Sequence, residues 1–352
     1  MHRLLLVAFL LPLVGCRHAS GAAPRPLPTL PASHGQLSRA LHEYLGLSSI
    51  PSVSGDSFEN SETVVELDQA PAVFAEAQRI LDGQPTQQEV RQAAEDLGAA
   101  CTVGFSPACD FLRQHFTRPV RLEGEMPAYP SAAAGTRWVG MAVVHCRLGV
   151  EGTMHDCEVV ERAPYGYTEA LLEAIRHLRY RPVALAGHPI EVPYNLRIQL
   201  APRNMALTRQ QELPWIRART KNFPRSVSAW GDLAERLAEY APEEPEYLAA
   251  LERLHALAPA FWWSANELAW EHARAGRFAE AEPFARRARE RAPLNAYVLE
   301  TSAITWAGLG QCEQAVAARG AALEWLPAEW PAAERERFQR DLDASTRRCA
   351  AK

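Results

Sequence analysis

The chain has 352 residues and a formal net charge of −5, enough length for about two or three domains and no electrostatic footprint for nucleic acid. Hydrophobic residues make up 47% and charged residues 22%, a globular composition that excludes a disordered chain. Nothing in the chain has the form HExxH, GxSxG or a phosphate-binding glycine loop, so no nucleophile, base and orienting group are brought together by motif.

His2 and Arg3 precede an apolar stretch, Leu4 to Leu13, interrupted only by Pro12. Leu13-Val14-Gly15-Cys16 closes it with small residues before a cysteine, the layout of a secretory signal peptide. The apolar run is about half the ~20 residues that a membrane-spanning helix needs. This ending resembles the lipobox of bacterial lipoproteins. The resemblance implies that residues 1–15 are removed and that Cys16 carries a lipid; an ordinary cleaved signal with an incidental cysteine is the alternative. Arg17 and His18 stand where some lipoproteins carry an aspartate that retains them in the inner membrane. The resemblance therefore favours the periplasmic face of the outer membrane over the inner one. Pro24, Pro26, Pro28 and Pro31 make residues 16–34 an extended tether.

Residues 35–117 read as a small helical region. Leu37 to Leu47 and Ala70 to Leu81 are amphipathic, with a polar Ser-rich stretch between them. Thr86-Gln87-Gln88-Glu89 fits a capping box opening a helix to about Ala100, and Pro107 opens another over Ala108 to Phe116. The region is either a small domain of its own or part of a longer helical layer.

Over residues 118–201 the pattern changes. Arg137 to Leu148 and Thr153 to Arg162 flank the turn Gly149-Val150-Glu151-Gly152, a hairpin signal. Thr168 to Leu178 carries one apolar helical face and stops at Tyr180-Arg181-Pro182. Ile190 to Leu200 alternates as a last strand, with Ile190, Val192, Tyr194, Leu196, Ile198 and Leu200 on one face. The order strand, strand, helix, strand predicts a compact α+β unit.

After a linker at 202–225, residues 226–350 show no strand pattern. Pro259, Pro293 and Pro327 recur every 34 residues, as do Gly276 and Gly310, Ala269 and Ala303, Ala281 and Ala315, and Ala288 and Ala322. A fixed period means a repeated supersecondary unit, here helix, Gly turn, helix, Pro stop.

Apart from Cys16 there are six cysteines, which an exported protein is expected to pair. Cys101 and Cys109 flank a short helical turn. Cys146 and Cys157 face each other across the hairpin, although a four-residue turn would set Cys146 against His155, so this pair needs a bulge. Cys312 begins a helix and Cys349 ends the antiparallel helix that follows. Three sequential disulfides, 101–109, 146–157 and 312–349, are predicted.

Two family resemblances follow. Met126 to Leu200 resembles the C-terminal domain of the TonB family, in Tyr129-Pro130 before the first strand, Gly140 as it begins and Gly152 in the hairpin turn. Leu178-Arg179-Tyr180-Arg181-Pro182 at the helix end and Gly187 before the last strand complete the match. The resemblance implies a periplasmic protein-interaction domain that pairs its sheet edge with an extended peptide of an outer-membrane transporter. The implied edge is the last strand, with Ile190, Val192, Tyr194, Leu196 and Ile198; the alternative is a strand that only closes the core. The chain departs from the family in having a lipobox where TonB has a motor-contacting transmembrane helix, which puts energy transduction and its role in transmembrane transport in question.

The 34-residue period resembles tetratricopeptide repeats, with units Trp262 to Asn295 and Ala296 to Glu329, a degenerate unit before Pro259, and a polar capping helix from Glu334 to Arg348. That implies a concave protein-binding surface. Trp262, Trp263, Trp270 and Trp306 either line it or pack between helices, and the pattern favours packing.

His145, His155 and His177 read as solvated side chains rather than metal ligands. The chain is therefore expected to be a multidomain lipid-anchored envelope protein, not an enzyme, with no cofactor. Its expected partners are proteins, either a transporter peptide or, on the competing reading, components of an envelope complex for which it is a scaffold.

Overall fold

A computed structural model describes residues 32–46, 63–136, 138–202 and 207–350. The expected signal sequence, Cys16 and most of the expected tether lie outside them. Helix α1 spans His34–Tyr44, and α2, α3 and α4 span Ala70–Leu81, Gln87–Thr102 and Ser106–His115. The capping box expected at Thr86 forms: the Thr86 N–H donates to the Glu89 carboxylate at 2.7 Å, and the Glu89 N–H donates back to Thr86 Oγ1. Cys101 and Cys109 are bonded, which ties the end of α3 to α4.

Helices α2 to α4 do not make a domain of their own. Val90, Leu97 and Leu112 share one buried core with Leu171, Leu185 and Ile190 from the strand-rich part that follows. Because the two segments share that core, they form one unit.

That part comprises β1 (Phe116–Thr117), β2 (Val120–Glu123), β3 (Gly140–Leu148), β4 (Met154–Glu161), α5 (Tyr167–His177), β5 (Arg179–Arg181), β6 (Val183–Leu185), β7 (His188–Ile190) and β8 (Val192–Leu200). The main sheet is antiparallel in the order β4-β3-β8, beside a β1-β6-β7 ribbon and a β2-β5 pair. The expected strand, strand, helix, strand order is present, with short additions. The segment 190–200 is not one strand. It breaks at Glu191, whose carboxylate accepts from Arg147 Nε at 2.5 Å. Helix α5 ends at His177, before the expected stop at Tyr180-Arg181-Pro182, and Tyr180 and Arg181 belong to β5, paired with β2.

Gly152 sits at φ +74, and a Cβ there would lie 1.8 Å from the Tyr180 carbonyl oxygen. The Tyr180 N–H donates to the Gly152 carbonyl at 2.8 Å, so the hairpin turn presses directly on β5 and only glycine fits. Cys146 and Cys157 are bonded. Arg147 rather than Cys146 opposes His155, and the register then shifts before His145 opposes Glu158. The extra residue is absorbed at Asp156, at φ +50, which is the bulge the disulfide needed.

The second unit is helical: α6 (Arg209–Asn222), α7 (Val227–Tyr240), α8 (Pro245–Leu257), α9 (Trp262–Arg274), α10 (Phe278–Arg291), α11 (Ala296–Gly308), α12 (Cys312–Trp325) and α13 (Ala332–Ala350). Residues 202–225 are thus not simply a linker, because α6 buries Ile216 against Leu233 and Leu237 of α7. The first residues of α9 and α11, Trp262 and Ala296, keep the 34-residue interval. Cys312 and Cys349 are bonded and fasten α13 to α12. Helix α1 belongs here too, not with α2 to α4: Leu37 and Leu41 are buried with Tyr297, Leu326, Trp330 and Phe338. The grouping of residues 35–117 therefore splits between the two units.

One buried ionic network joins them. Glu161, fully buried at the end of β4, accepts from Arg219 Nε and Nη2 of α6 at 2.8 Å each and from Ser226 Oγ at 2.6 Å. Arg219 Nη1 also donates to Asp232 of α7 at 2.5 Å, and Arg197 of β8 donates to both Asp232 oxygens at 2.7 Å. Removing one partner strands the other charge in a dry site. Arg219→Met is expected to destabilise the chain by about 3–5 kcal/mol in urea unfolding, with much of the loss recovered in Glu161→Leu/Arg219→Met. Gly152→Ala is expected to cost about 3 kcal/mol by the same measurement, from positive φ and overlap together.

Candidate protein-binding site

Two surfaces are candidates for holding another polypeptide. The first is the outer edge of β8. The Gly149 N–H donates to the Thr153 carbonyl at 2.9 Å, which makes that pair hydrogen-bonded between β3 and β4. Strand alternation then turns the backbone of Leu148 toward β8. Because the register runs without a shift from Leu148↔Val192 to Gly140↔Leu200, the backbone groups of Val192, Tyr194, Leu196, Ile198 and Leu200 face β3. Those of Pro193, Asn195, Arg197 and Gln199 face outward, and no described strand pairs with them. Pro193, which has no N–H to lose, falls on the outward side as an edge proline should.

The residues expected to carry partner binding are therefore corrected. Val192, Tyr194, Leu196 and Ile198 present their side chains to the core and their backbone to β3, and Ile190 lies in β7. Recognition at this edge would fall to the outward backbone groups of Asn195, Arg197 and Gln199. The opposite edge, β4, is broken by the bulge at Asp156 and a second register shift near Val143, which makes it a poor template for a regular strand. The family-motif residues are architectural. Tyr129 donates its hydroxyl to the Trp138 carbonyl at 2.9 Å, and Gly140 leaves room for the Trp138 ring. Pro182 separates β5 from β6, and Gly187 makes the turn between β6 and β7 at φ +85.

The histidines of the hairpin are engaged with neighbours. His145 Nδ1 lies 2.6 Å from Asn195 Oδ1, His155 lies between Asp156 and Glu191, and His177 reaches Glu173 on its own helix.

The second surface is the groove formed by α7, α9 and α11, in which α1 lies. A capping box at Ser33 and Gln36 starts α1. Trp263 Nε1 donates to the Gly35 carbonyl at 3.0 Å and Asn295 Nδ2 to the Ser38 carbonyl at 2.7 Å. His34 Nδ1 donates to Glu267 at 2.8 Å while its ring stacks on Trp270 with centroids 4.0 Å apart. Arg39 pairs with Glu235 and lies over the Trp263 ring. His42 packs against Trp262. Trp262, Trp263 and Trp270 pack between the array and α1, as the packing reading expects, and Trp306 meets Arg289. The sequence signal for this helix start is the Ser33-His34-Gly35-Gln36 cap, which opens the helix at His34, three residues before the apolar periodicity begins at Leu37.

Residues 125–199 match the family model described as Gram-negative bacterial TonB protein C-terminal. That stretch is similar to the C-terminal domain of TonB proteins. The match covers about a fifth of the chain and supports a TonB-like, periplasmic protein-interaction role. Among solved structures, the chain is similar to one titled MamA RS-1 ArsTM double mutant, at 12% identity and a TM-score of 0.32, over 40% of this chain and 86% of that one. No curated protein matches the chain. No helix among the described residues is long and apolar enough to cross a membrane.

Burial, reinforced by the Arg39 charge, pushes the His42 imidazole down from 6.5 to about 4, and its Nδ1 finds no hydrogen-bond partner among the described residues. A base whose docked pKa is lowered stabilises the docked state above its free value and loses that contribution as pH falls through the window. The hold of the groove on α1 is therefore expected to weaken between pH 6.5 and 4. The protection factors of the α1 amides, taken relative to the intrinsic exchange rate at each pH, should fall over that range, and less so in His42→Leu.

Proposed function

We propose that this chain is a non-enzymatic, lipid-anchored envelope protein whose TonB C-terminal domain captures an extended peptide by strand addition at β8. The observation that carries the reading is the unbroken outward edge of β8, with the backbone of Asn195, Arg197 and Gln199 unpaired by any described strand. A peptide laid there gains main-chain hydrogen bonds in register, while the two faces of the sheet admit or reject its alternate side chains. The peptide is taken to come from an outer-membrane transporter. A lipid on Cys16, in place of a membrane-spanning helix, fits an accessory role at the outer membrane rather than coupling to a motor.

A second reading, a scaffold indifferent to transporters, draws on the Glu161–Arg219 network, which fixes the sheet against the helical array and so presents two surfaces in a set geometry. Peptides from transporter plugs separate the two. On the first reading they bind the full chain, and Gln199→Pro, which removes an outward N–H but none of the bonds to β3, weakens binding about tenfold, or ~1.4 kcal/mol. Titration calorimetry that finds no binding to the wild type would leave the scaffold. Membrane fractionation of Cys16→Ala tests the anchor: the variant is expected in the soluble periplasmic fraction and the wild type with the outer membrane.

A further inference from the structure

Helix α1 has the position of a ligand. It crosses the inner helices α7, α9 and α11 of three successive helical pairs. Its buried leucines, Leu37 and Leu41, join a cluster made otherwise of array residues and contribute nothing to the core around the sheet. Its link to α2 is the polar, Ser-rich sequence between Leu45 and Gln69. At 11 residues it is too short to hold helical form unaided in water, so its helix and its docking form together.

The groove also reads α1 in detail that an ordinary core contact lacks. Trp263 and Asn295 donate to its backbone carbonyls, and Glu267 and Glu235 take His34 and Arg39. At Gly35 an added Cβ would lie 2.8 Å from Glu267 Oε2 and 2.9 Å from the Tyr247 hydroxyl. Those two buried groups bond each other at 3.1 Å, so making room for a Cβ disturbs that bond. Polar side chains at a buried surface are costly unless the right partner satisfies them, which makes them instruments of specificity.

We propose that this groove is a helix-binding site for a second protein and that α1 is its resident competitor. The partner segment is an amphipathic, basic helix with a small residue where Gly35 sits. It carries His one position before, Leu two and six positions after, and Arg four positions after, the pattern of His34, Gly35, Leu37, Arg39 and Leu41. The array is closed to such a helix while α1 is docked and opens when α1 leaves. Because α1 is tethered, it competes at a local concentration of roughly millimolar, so free helices bind the intact chain weakly. This surface is separate from β8, and neither depends on the other.

The test uses the full mature chain and, as probe, a fluorescent synthetic peptide of residues 32–46, followed by anisotropy. Gly35→Leu expels α1 and is expected to bind the peptide at least tenfold more tightly than the wild type; adding Asn295→Ala reverses most of that gain. In the wild type, saturating peptide is expected to speed hydrogen exchange of the chain's own α1 amides at least tenfold. Three results would overturn the proposal. One is a Gly35→Leu chain that binds no tighter than wild type. Another is a variant that loses its cooperative unfolding transition, which would make α1 part of the array's own core. The third is a wild-type oligomer by sedimentation whose α1 helices are exchanged between copies.

Discussion

Glu161 sets how this molecule is put together. A carboxylate fully buried at the end of a strand cannot stay there unmatched, and the groups that match it, Arg219 and Ser226, come from the helical unit. Arg219 in turn needs Asp232, and Asp232 holds Arg197 on the edge strand. Val143 lies in register between Glu161 and Arg197, so the chain of charges runs across the sheet at one level. The place of the array beside the sheet follows from satisfying one buried charge.

The two candidate surfaces use different parts of the same physics. The β8 edge offers unpaired backbone groups, which are nearly blind to sequence and gain specificity only from the register and faces around them. The groove offers fixed side chains that are already satisfied by α1. The same contrast appears in what a substitution does. On β8 an outward proline removes bonding capacity without touching the core, whereas in the groove one methyl at Gly35 meets Glu267 and Tyr247.

The far end of the array is closed by similar means. Tyr297 donates to Glu334 at 2.9 Å, Trp330 donates to Tyr297, and Arg337 joins Glu334 to Glu300. These groups lie against the cluster that holds Leu37 and Leu41. The capping helix and α1 are therefore supported by one set of residues, with Cys312–Cys349 limiting how far α13 can part from α12.

Local rules reached a long way from the sequence. The capping box at Thr86, the glycine turn at Gly152, the helix stop before Pro182 and the 34-residue recurrence are each decided by a few neighbouring residues, so they were legible without coordinates. So were the three disulfides, because each joins the two arms of one hairpin. What failed were assignments that depend on distant partners. Residues 202–225 carry weak apolar periodicity, and α6 is held by burial of Ile216 against α7 and by Glu161 from another unit. The residues named for β8 share its hydrophobic face, which reports the core; the bonding edge is set by strand alternation, visible only once Thr153 is seen to accept from Gly149. Periodicity groups helix α1 with its neighbours in sequence, since nothing in eleven residues announces a groove more than 200 positions away. The sequence by itself determined the elements, the turns and the cross-links, because those are short-range. Tertiary structure alone decided which surfaces stay open, because that depends on which buried polar groups find each other across the whole chain.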